Sequence, residues 1–83
     1  MSEIAAVRDI LRQTLQLGDR AEAFGPETPL LGAVPELDSM AVVAVLTAIE
    51  ERYGVTIDDG EVSAQIFETV GSLAEFVGGK AAG

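Results

Sequence analysis

Eighty-three residues leave room for one small domain and no second core. Fourteen acidic residues against five basic ones give a net charge of −9, which argues against a nucleic-acid partner, because phosphate backbones need clustered Lys and Arg. The absence of cysteine excludes disulfides and thiolate metal sites, and 48% hydrophobic residues set the chain apart from a disordered acidic tail.

No positively charged start leads into an apolar run, and no apolar stretch nears the roughly 20 residues of a membrane span. The expectation is a soluble, cytoplasmic protein without membrane insertion, whose acidity suits partners with basic docking surfaces. Residues 2–17 predict an amphipathic helix. Ile4, Val7, Leu11 and Leu15 share one face, with Ile10 and Thr14 beside them, while Glu3, Arg8, Asp9 and Arg12 lie largely opposite. Gly18 is the stop signal.

From Asp19 to Leu37 no period holds, and Gly25, Pro26, Pro29, Gly32 and Pro35 punctuate the chain. A connection this long is unusual in a compact domain. Phe24, Leu30, Leu31 and Val34 are the anchors expected to tie it down, with a short helical turn inside it.

Glu36-Leu37-Asp38-Ser39-Met40 opens the second helix, expected over 39–53. Asp38 is the N-cap, and Leu37 packs against Val42 as a hydrophobic staple. Ser39 falls in the first turn, beside backbone N–H groups with no helical partner. A phosphate there meets those donors and the positive end of the helix dipole. Taken alone, Asp38-Ser39 is also an ordinary helix start.

At about 100° per residue, Val42, Val45, Leu46, Ile49 and Tyr53 form the core stripe of this helix. Met40, Ala44, Thr47 and Glu51 lie opposite, flanked by Val43 and Glu50. The first half is apolar all round, so its outer face reads as an interaction surface.

Gly54 ends the helix, and Val55-Thr56-Ile57 runs extended. A short third helix is expected through about Ile66, with Asp59 as N-cap and Glu61 in its first turn. Val55 and Ile57 stand where a calcium loop needs oxygen ligands, so no metal is expected. Thr69 caps the last helix, whose apolar face is Val70, Leu73, Phe76 and Val77. Gly78-Gly79 is expected to break it, leaving 80–83 frayed. Without histidine or cysteine, the chain lacks the usual nucleophile–base pairs, and it has no phosphate-cradling glycine loop. No catalytic residue is assigned.

Leu37-Asp38-Ser39-Met40, mid-chain in an acidic domain and at the head of this helix, resembles the modification site of the acyl carrier protein family. The likeness extends from about Ile4 to Val77. It implies an all-α fold, a four-helix carrier-protein bundle of three main helices and one short helix with a long first loop. One acyl carrier domain spans 1–83, ordered over about 3–78. The resemblance also implies that Ser39 carries 4'-phosphopantetheine derived from coenzyme A, with Asp38, Leu37 and Met40 completing the motif. The chain is then no enzyme but a monomeric carrier, holding an acyl or aminoacyl group as a thioester. Its partners are a phosphopantetheinyl transferase, a loading ligase and downstream acyl-using enzymes. Met40, Val43, Ala44, Thr47, Glu50 and Glu51 form the expected partner face. Val42, Leu46 and Ile66 are candidates to line an acyl shelter, with plain core packing as the alternative.

Some residues depart from fatty-acid carriers, which place acids soon after the serine. Ala41 and Ala44 stand in that region here, and carboxylates return only at Glu50 and Glu51. Met after the serine also occurs in D-alanyl carriers, and Ile66 to Val70 resembles carriers of polyketide and peptide synthetases. The expectation is a specialised pathway (polyketide, nonribosomal peptide or polysaccharide-related) rather than housekeeping fatty-acid synthesis. A D-alanyl-type or peptidyl carrier and a non-catalytic helical adaptor remain alternatives.

Overall fold

The helical repeat of Val7, Ile10, Leu11 and Leu15 buries all four residues on one side of α1 (Glu3–Leu15). The structure, a computed structural model, describes residues 3–82, so a start at Ser2 lies outside the described residues. Ile4 is half-buried against the core. The helix stops earlier than Gly18 signals. Gln16 takes a left-handed φ of 55°, and the Leu17 N–H donates back to the Arg12 carbonyl at 3.0 Å. That conformation is costly for a side-chain-bearing residue, but it accompanies Leu17, a core residue only 4% exposed. A 3-10 turn, Gly18–Ala23, follows and buries Ala21.

The long connection is ordered because its backbone is bonded to the chain just before and within the last helix. Leu30 N–H donates to Glu68 O at 3.0 Å and Leu31 N–H to Phe67 O at 2.9 Å. In return, Val70 N–H donates to Thr28 O at 3.0 Å and Gly71 N–H to Pro26 O at 2.8 Å. Pro29 and Thr69 form an isolated antiparallel bridge within this strap. Side chains alternate along such extended backbone. Leu30 is therefore fully buried while Leu31 is exposed, which corrects the expectation that both are anchors. Val34 and Leu37 are buried, and Phe24 is half-buried against them and the rest of the core.

Asp38 caps α2 (Ser39–Tyr53), and Gly54 closes it at a left-handed φ of 66°. Val45 and Ile49 are fully buried, whereas Val42, Leu46 and Tyr53 pack half-buried at the core margin. Asp9 in α1 accepts from Arg12 at 2.6 Å and from Arg52 in α2 at 3.0 Å. The bonds from Arg12 and then Arg52 hold the Asp9 carboxyl below its ordinary range. Exposed ion pairs of this kind contribute little, so the buried seam is what joins the two helices.

The expected short helix divides into two 3-10 turns, Asp59–Glu61 and Ala64–Phe67. Ser63 between them is extended, at φ −143° and ψ 164°, which interrupts any continuous helix. The first turn is closed by Asp58, whose carbonyl accepts Glu61 N–H at 2.9 Å and whose N–H donates to Glu61 Oε2 at 3.1 Å. The capping role expected of the Asp59 side chain lies outside what the structure describes.

Thr69 caps α3 (Val70–Ala82) reciprocally with Ser72. Ser72 N–H donates to Thr69 Oγ1 and Thr69 N–H to Ser72 Oγ, both at 3.0 Å. Val70, Leu73, Ala74 and Val77 are buried, and Phe76 is half-buried. The helix runs through Gly78-Gly79 instead of breaking there. Each interior glycine costs about 1 kcal/mol against Ala, too little to end a helix whose next residue is held. Lys80 Nζ donates to both Glu61 oxygens at 2.9 and 3.0 Å, and this bond keeps the Glu61 carboxyl below its usual range. The result is all-α among the described residues, with α1 packed against both α2 and α3.

Two glycines of α3 should respond oppositely to a methyl group. A Cβ at Gly71 lies 2.6 Å from the Pro26 carbonyl oxygen, whereas a Cβ at Gly79 meets nothing within 4 Å. Gly71→Ala should lose about 1–3 kcal/mol by overpacking, while Gly79→Ala should gain roughly 0.5–1 kcal/mol from helix propensity. Paired urea melts check both signs.

Candidate functional site

The long connection delivers the start of α2 to the surface. From the buried Leu30, carbonyl bonds to Ala33 at 3.1 Å and Val34 at 2.9 Å turn the chain. The Val34 carbonyl then accepts Leu37 N–H at 3.0 Å, and the Glu36 carbonyl accepts Asp38 N–H at 3.1 Å. Leu37, 6% exposed, points into the core, while Asp38, Ser39 and Met40 are exposed. Val42, the other half of the expected staple, packs against the same core cluster as Leu37.

Asp38 is extended, at φ −103° and ψ −174°, and its Oδ1 accepts the Ala41 N–H at 2.8 Å. The first helical bond runs from Val42 N–H to Asp38 O at 2.9 Å. Ser39 and Met40 thus occupy the first two helical positions, where backbone N–H groups precede the helical ladder. An ester oxygen placed on Ser39 would sit outside the fold, beside the positive end of a 15-residue helix. Esterification there disturbs no buried contact.

Beside this point lies an apolar surface. Met40 is 81% exposed and Val43 62%. Ala44, Thr47 and Glu51 continue the exposed face along α2. Glu50 differs from its neighbours. It is half-buried, its carboxylate accepts Ile57 N–H at 2.7 Å, and its carbonyl accepts Gly54 and Val55 N–H. Its side chain holds the loop after α2 in place. The sequence signal for this role is a carboxylate four residues before a helix-ending glycine.

One contact had no sequence signal. Arg20, in the turn after α1, grips Glu36 with both terminal nitrogens, Nη1 to Oε2 and Nη2 to Oε1, the latter at 3.0 Å. The Arg20 bond holds the Glu36 carboxyl below its ordinary range.

A family model described as "Phosphopantetheine attachment site" matches residues 5–77. A solution NMR structure of a holo acyl carrier protein from Nitrosomonas europaea is 52% identical, covers all of both chains, and superposes with a TM-score of 0.92. The chain belongs to the acyl carrier protein family. No curated protein matches it. As an acyl carrier protein it has 4'-phosphopantetheine as its covalently bound cofactor, and the exposed, capped start of α2 fits such a group. No helix among the described residues is long and apolar enough to cross a membrane.

The cap can be tested without the cofactor. Replacing Asp38 by Ala removes the acceptor of the Ala41 N–H and should cost about 0.5–2 kcal/mol, whereas Asn should nearly preserve stability. Thermal melts of the two apo variants decide this.

Proposed function

We propose that Ser39 is the attachment residue and that the protein is a non-catalytic carrier of acyl or aminoacyl groups. The observation that supports this most directly is the exposed Ser39 at the head of a helix capped by Asp38. A separate phosphopantetheinyl transferase moves the group from coenzyme A onto the Ser39 hydroxyl. When bound, the group supplies a terminal thiol on a flexible arm, which holds the cargo as a thioester. Asp38 fixes the first turn, Leu37 anchors the entering chain in the core, and Met40 begins the surface that partners meet.

That surface continues through Val43, Ala44 and Thr47 to Glu51. Its first two turns carry no carboxylate, so loading and acyl-using enzymes would meet it with apolar contacts. Electrostatics then acts mainly on encounter rates, through Glu51 and the overall negative charge. This apolar start supports a specialised pathway over housekeeping fatty-acid synthesis. Val42, Leu46 and Ile66 pack half-buried at the core margin, the positions from which an acyl shelter would be lined.

After incubation with coenzyme A and a broad-specificity transferase, the wild type should gain one phosphopantetheine by intact mass. Ser39→Ala should gain none, and its modification would move the site elsewhere. Val43→Asp and Met40→Ala should keep stability within roughly 0.5 kcal/mol, as surface changes do. Transfer to partner enzymes should fall in both, by up to about 2 kcal/mol where the residue is a contact hot spot. Unfolding of Val43→Asp, or wild-type transfer by every partner, would reject this face.

A further inference from the structure

The fork between Arg20 and Glu36 joins the turn after α1 to the chain just before Ser39. Arg20 lies between the buried Leu17 and Ala21, and Glu36 between the buried Val34 and Leu37. Both side chains are partly exposed, at 55% and 35%, so the pair adds little to global stability. Its effect is local. A guanidinium matched to both carboxylate oxygens fixes direction as well as distance, and here it fixes the peptide whose carbonyl accepts the Asp38 N–H. Asp38 in turn holds the Ala41 N–H, with Ser39 between them.

The other basic side chains are engaged elsewhere. Arg12 and Arg52 reach Asp9, Lys80 reaches Glu61, and Arg8 donates to the Phe24 carbonyl at 3.3 Å. Among the described residues, Arg20 is therefore the basic group paired beside the start of α2.

We propose that Arg20 and Glu36 are positioning residues for the modification of Ser39, locking the chain entering α2 so that the serine is presented in one orientation. The proposal rests on Ser39 being the attachment residue. Neither side chain touches the reacting oxygen; both act through Asp38 and the cap.

The test combines transferase kinetics with amide hydrogen exchange on the full-length apo protein. Arg20→Gln and Glu36→Gln should each lower kcat for phosphopantetheine transfer about two- to fivefold, the range an exposed ion pair supports. The KM for the protein should stay within about twofold, because the α2 face is untouched. Exchange of the Ala41 amide should quicken by a similar factor while that of Ile49 is unchanged. The double variant Arg20→Glu with Glu36→Arg should recover both readouts. Wild-type kcat and Ala41 exchange in both single variants would overturn the proposal. So would faster exchange at Ile49 as well, which marks a general scaffold role, or a charge swap that rescues neither readout. A wild type that gains no phosphopantetheine would instead reject the attachment reading, and Ala41 exchange would still decide whether the pair positions the cap.

Discussion

The backbone strap between residues 26–31 and 67–71 is the constraint on which the functional site depends. Four N–H···O=C bonds, two in each direction, fasten the long connection to the chain entering α3. Without them the Pro- and Gly-punctuated segment has no regular structure to satisfy its polar groups. With them, Leu30 is seated in the core and the next turns are obliged to bring Leu37 inward and Asp38 outward. The start of α2 is therefore positioned from the far end of the sequence. At Gly71 the strap brings backbone against backbone without room for a methyl group.

Charge is distributed with the same economy. Asp9, Glu36 and Glu61 are engaged by cations, and each sits below the usual carboxylate range for that reason. Glu50 is engaged by a backbone N–H. These groups hold turns and helix ends together, while the first turns of α2 are left to Met40, Val43 and Ala44. On the proposed partner face, specificity would come from apolar shape near Ser39 and from a diffuse negative field farther away.

Local features were legible in the sequence. Asp38 and Thr69 as caps, Gly54 as a left-handed terminus, and Val45 and Ile49 as core follow from capping chemistry and the 3.6-residue repeat. The exposed face of Met40, Val43, Ala44, Thr47 and Glu51 was legible in the same way. What escaped depends on distant partners. The outward direction of Leu31 is decided by the strap, which its apolar character does not reveal. The helix continues through Gly78-Gly79 with Lys80 held by Glu61, which lies in another element and leaves no local signal. The early stop at Gln16 follows a residue type that gives no such warning, and the Arg20–Glu36 pair joins two aperiodic stretches.

The central position of α1 has a kinetic consequence. Its packing against α3 sets Glu3 beside Gly78, so this seam closes a loop on the order of seventy residues, whose entropy cost grows only slowly with length. The strap shortens the remaining separation by pairing the middle connection with the chain before α3. A molecule that forms the strap early has a much smaller search left for α1. The rate of folding then reflects the order in which these two long-range closures occur, more than the intrinsic helicity of any one segment.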